Sequence, residues 1–133
     1  MVQESSGGTD ERTAYFRSFD RALANICLTA LDGDTVGSGL VLEMLYPPEA
    51  IATAASAGFR EGFSATDTAA LFAVSHAISF ERSNGKIARL ASASVRRRYE
   101  LHVRIAKTVK SRHPSLTNDM FGRFMNAFVN QAR

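Results

Sequence analysis

Seven basic side chains, Lys86, Arg89, Arg96, Arg97, Arg104, Lys107 and Lys110, recur at spacings that a helix would bring onto one face. Wound at about 100° per residue, they gather within about 80° of one direction. Ile87, Ala91, Val95, Leu101, Ile105, Ala106 and Val109 fall on the opposite side, with Arg98 and His102 as polar intruders among them. Such an array suits one kind of chemistry, the neutralisation of successive phosphates along a polyanion with release of the counterions condensed there. Arginine predominates, and its planar fork matches phosphate oxygens two at a time. The stretch has arginine but neither Asn nor Gln to complete a set that would read base edges, so the expected contacts are mostly to backbone. The plain alternative is a solvated face kept basic for solubility.

Other chemistries find less support. Asp32, Asp34, Gly37 and Glu43 sit at the first, third, sixth and twelfth positions of a calcium loop. Val36 occupies a ligand position of that loop and Gly39 replaces an apolar one, so an ordinary helix-ending loop is expected instead. Cys27, His76, His102 and His113 show no metal-ligand spacing, and neither CxxC nor HExxH occurs. Gly37-Ser38-Gly39 lacks the lysine of a phosphate loop and the spacing of a nucleophile elbow. No cofactor, no metal and no enzymatic activity are expected.

Charge is divided along the chain. Residues 1–81 carry four basic side chains against eleven acidic, a balance of −7, whereas residues 82–133 carry twelve against two, a balance of +10. This polarity suits a polyanionic partner at one end, or an acidic half folded against a basic one. No apolar run approaches the ~20 residues of a membrane span, and the polar start MVQESSGGTDER is unlike a secretory signal. The one cysteine excludes an intrachain disulfide and fits a reducing compartment. The expected location is the cytoplasm.

The elements that must position the basic face read as helices. Residues 1–8 are polar and contain Ser-Ser-Gly-Gly, which predicts a disordered tail ahead of one helical domain over 9–133. Thr9 or Asp10 can cap a first helix whose Phe16, Phe19, Leu23, Ile26 and Ala30 alternate at spacings of three and four, a seam that needs a partner. Asp32-Gly33 stops it, a short apolar run over 40–46 leans helical, and Pro48 opens the next helix, which Gly58 is expected to end. Ser64 to Asp67 resembles a capping box for a helix reaching about Ser83, with Asn84-Gly85 as its stop. Within it, Ala69 to Ser75 resembles the first half of a helix-turn-helix. Ala73 stands where that motif has glycine, and no breaker interrupts the run, so one continuous helix is expected. The basic helix follows over 86–112, roughly 40 Å if unbroken, and His113-Pro114 ends it. Thr117 caps a last helix bearing Phe121, Phe124, Met125, Phe128 and Val129.

The expected architecture is an all-α, single-domain bundle of five or six helices with the 86–112 helix as its spine. The expected function is a small nucleic-acid-binding or regulatory protein. The competing expectation is a helical interaction module without nucleic acid, homo-oligomeric through Phe121, Phe124, Met125 and Phe128.

Overall fold

The computed structural model describes residues 2–30, 45–84 and 93–132, and all of its regular structure is helical. Five helices follow in order: α1 (Val2–Ala30), α2 (Pro48–Glu61), α3 (Ala65–Asn84), α4 (Ala93–Arg112) and α5 (Asn118–Ala132). Among the described residues no helix is long and apolar enough to cross a membrane.

Helix α3 is the centre, and each of the other four packs against it. Its composition explains this position. Ala69, Ala70, Leu71, Phe72, Ala73 and Val74 are consecutive and all buried, so apolar surface runs around the whole helix instead of along one stripe. The alanines let neighbouring backbones approach on several sides. Helix α1 lies along α3 through the predicted seam, with Phe19, Leu23 and Ile26 buried and Phe16 and Ala30 at its margins. The run from Ala69 to Arg82 is one uninterrupted helix, without a turn after Ala73.

The closest approach lies between α2 and α3. Gly58 is buried, and a Cβ placed on it would stand 2.1 Å from Thr68 Oγ1. This corrects the expectation that Gly58 ends its helix: it serves inside α2 as a contact surface, and α2 continues to Glu61. The stop is Gly62, at φ 77° in the left-handed region, where a residue without Cβ is unstrained. Thr68 is held from the other side by Tyr15, whose hydroxyl lies 2.6 Å from Thr68 Oγ1 and donates to the Phe63 carbonyl at 2.8 Å. The Tyr15 ring meets Phe59 edge-on, with centroids 5.2 Å apart. Three helices thus converge on one threonine.

Local signals at the helix ends act as their chemistry predicts. Pro47 is extended and Pro48 starts α2. The Ser64 hydroxyl accepts the Asp67 amide at 3.0 Å, and the Thr117 hydroxyl accepts that of Met120 at 3.2 Å. The start of α1 differs from expectation, since the backbone is helical from Val2 where a tail over 1–8 was predicted. Extending a helix that packing has already nucleated costs little per residue, about 1 kcal/mol even for Gly7 or Gly8 relative to alanine. The calcium-loop positions Asp32, Asp34, Gly37 and Glu43 lie outside the described residues. So does the first part of the predicted 86–112 helix, of which α4 is the described portion.

Gly58→Ala is expected to destabilise the protein by about 1–3 kcal/mol despite alanine's higher helix propensity, because the added methyl overpacks the α2–α3 crossing. Urea unfolding measures this, and adding Thr68→Ala should recover part of the loss. Tyr15→Phe should cost about 1–2 kcal/mol in the same assay through its two lost hydrogen bonds.

Candidate functional site

The basic face and the core seam of α4 are set by the same periodicity. Leu101, His102, Ile105 and Val109 are buried, which turns the helix so that Arg96, Lys107 and Lys110 are exposed on the far side. Among the described residues no ion pair engages these three. Glu100, exposed and one turn from Arg96, leaves it unpaired. Among the described residues, the carboxylates of the acidic half therefore make no ion pair with this part of the stripe.

The rest of the predicted set divides. Arg104 is half-buried and engaged within the molecule, and its carbonyl accepts the Thr108 hydroxyl at 3.0 Å. It flanks the exposed face without being free on it. Lys86, Arg89 and the Arg97 side chain lie outside the described residues. Arg98 sits on the buried azimuth of α4 yet is exposed, because its turn lies near the start of the helix, where a long side chain reaches water. Arg123 shows what an arginine employed by the fold looks like. It pairs with Glu61 at 3.3 Å, donates to the Glu61 carbonyl at 3.2 Å and covers the Phe63 ring at 4.8 Å, tying α5 to the end of α2.

A second polar feature lies inside the bundle. Cys27 of α1, Phe72 and His76 of α3 and His102 of α4 meet around Tyr46. The His76 and His102 ring centroids are 5.0 Å apart, and Tyr46 meets them edge-on at 5.0 and 5.6 Å. Burial pushes the Cys27 thiol up to about 11, an effect that the neighbouring Tyr46 hydroxyl partly offsets. This is opposite to the shift that activates a cysteine nucleophile. Burial likewise raises Tyr46, whose hydroxyl has no partner in hydrogen-bond geometry among the described residues. Burial lowers His76, against a ring hydrogen bond to the Leu45 carbonyl. His102 falls to about 3 through burial, the proximity of His76 and the charge of Arg98. All four groups are neutral at pH 7, so the cluster offers no activated nucleophile. Among the described residues no three His, Cys, Asp or Glu side chains are arranged to hold a metal ion.

Sequence reading placed His102 on an apolar face but had no means of joining it to Cys27, Tyr46 and His76, which come from separate segments. The expected partner-facing set on α5 is also redistributed. Phe124 is fully buried in the chain's own core, while Phe121, Met125 and Phe128 are half-buried beside it. Phe124 is thereby removed as an anchor for a partner subunit, because α5 spends its apolar face on α2 and α3.

No family model matches this chain, and no curated protein or solved structure matches it.

The lowered histidines have a signed consequence. A histidine whose folded-state value lies below its ordinary 6.5 contributes stability that is complete above 6.5 and lost as pH falls toward the folded value, here about 3 for His102. Urea midpoints should therefore drop between pH 6.5 and 4. In His102→Leu that decline should flatten, leaving the shallower contribution of His76.

Proposed function

We propose that this protein binds the phosphate backbone of a nucleic acid through the exposed face of α4, without catalytic activity of its own. The observation that carries the reading is that Arg96, Lys107 and Lys110 are exposed and unpaired among the described residues. From Arg96 to Lys110 they extend about 21 Å along the helix axis, several phosphates of a nucleic-acid strand. Cations that the fold does not consume are available to a polyanion, and these three share one direction on α4, away from its core seam. Lys86, Arg89, Arg97 and Arg104 belong to the same proposed face by their spacing. The contacts are of the positioning kind, so binding depends on charge and salt more than on base sequence. A regulatory role in the cytoplasm, as a homo-oligomer, accompanies this reading.

The competing role, protein interaction without nucleic acid, draws on the exposed Leu28, Ile78 and Val129. They lie on three different helices, which weakens the case for one broad apolar interface.

Anisotropy titrations of a labelled duplex and a labelled single strand, across about 50–200 mM salt, test the proposal. Affinity should fall linearly on a log–log plot. The double variant Arg96→Glu with Lys107→Glu should bind at least about tenfold more weakly, and its salt slope should be lower by about two. No binding at low salt, or binding that the double variant leaves intact, removes the reading. Light scattering with and without oligonucleotide reports self-association independently.

A further inference from the structure

A concavity lies where α4 and α5 diverge over α3, and it is a different surface from the centre of the basic stripe. Both helices pack on α3 and make little contact with each other. The connection through His113, Pro114 and Leu116 joins them at one end and forms part of the wall. The gap is a groove of about 510 Å³, inside the roughly 300–1,000 Å³ span of small-molecule sites and small for a docked helix. Ile78, Val109, Leu116, Phe121 and Met125 give it an apolar lining. Ile78 of α3 is 41% exposed, because neither α4 nor α5 covers it.

One formal charge accompanies this lining. Lys110 stands on the α4 wall, and among the described residues no ion pair engages it and no carboxylate lines the groove. A cation beside low-dielectric walls attracts an anion more strongly than the same cation surrounded by water. An apolar trough with a single positive edge selects a ligand that combines both properties. We propose that this groove binds a small amphipathic anion, an apolar chain or ring system carrying one carboxylate or similar head, with the head at Lys110 and the body against Ile78, Phe121 and Met125. The site stands apart from the nucleic-acid reading, although Lys110 belongs to both surfaces.

Calorimetric titration of the full chain with octanoate, octan-1-ol and octylammonium, all below micellar concentrations, tests the assignment. Octanoate should bind one to one and about tenfold or more tighter than the alcohol or the ammonium. Lys110→Met should reduce octanoate to the level of the alcohol. Ile78→Trp, at an exposed position, should fill the groove and abolish binding, and Ser79→Trp on the same wall is a second blocking variant should the first unfold. Lys107→Glu should leave octanoate binding within about twofold while weakening any oligonucleotide complex, which separates the two readings. Absence of saturable octanoate binding, equal binding of octanoate and octylammonium, or octanoate binding that survives a folded blocking variant would overturn the proposal.

Discussion

The approach of α2 to α3 at Gly58 and Thr68 is the constraint on which the rest of the arrangement depends. With no side chain on Gly58, the two helices come close enough for Thr68 to fill the space a Cβ would need. Tyr15 then meets the Thr68 hydroxyl from α1 and the Phe63 carbonyl from the α2–α3 turn. A buried hydroxyl must be satisfied, and the tyrosine that satisfies it also orients the first helix. The positions of three helices are coupled at this one point. The fourth and fifth helices pack onto the surface of α3 that remains.

The interior combines close packing with polarity. Alanines and glycine bring helices α1 to α3 together, while the thiol and two imidazoles meet around the Tyr46 phenol. Burial keeps all four uncharged at neutral pH, and a neutral polar group is far cheaper to bury than an ion. The arrangement therefore tolerates polarity in the core only while it stays uncharged, with thiol and phenol protonated and both imidazoles unprotonated. Arg98 reinforces this by adding positive charge near His102 from its own exposed position on α4.

The two proposed surfaces follow from one choice of packing. Helix α4 must bury Leu101, Ile105 and Val109, so it turns Arg96, Lys107 and Lys110 outward. Helix α5 packs mainly against α2 with Phe124 buried in the core, which holds it away from α4 and leaves the groove over α3. Lys110 lies where the basic face meets that groove, which is why one residue serves both surfaces.

Much of this was legible from local pattern. Helical class, the seam from Phe16 to Ala30, proline at the start of α2, the Ser64 and Thr117 caps and the outward display of Arg96, Lys107 and Lys110 all follow from spacing and capping chemistry. These act over a few residues, so the sequence by itself determined them. The role of Gly58 did not follow, since a helix-ending glycine and a helix-packing glycine look alike until the neighbouring helix is present. Nor did the gathering of Cys27, Tyr46, His76 and His102 or the withdrawal of Arg104. Each depends on contacts between segments distant in the chain, and such contacts are decided by which faces leave least apolar surface and fewest polar groups unsatisfied when all the helices pack together. Tertiary structure alone made that choice.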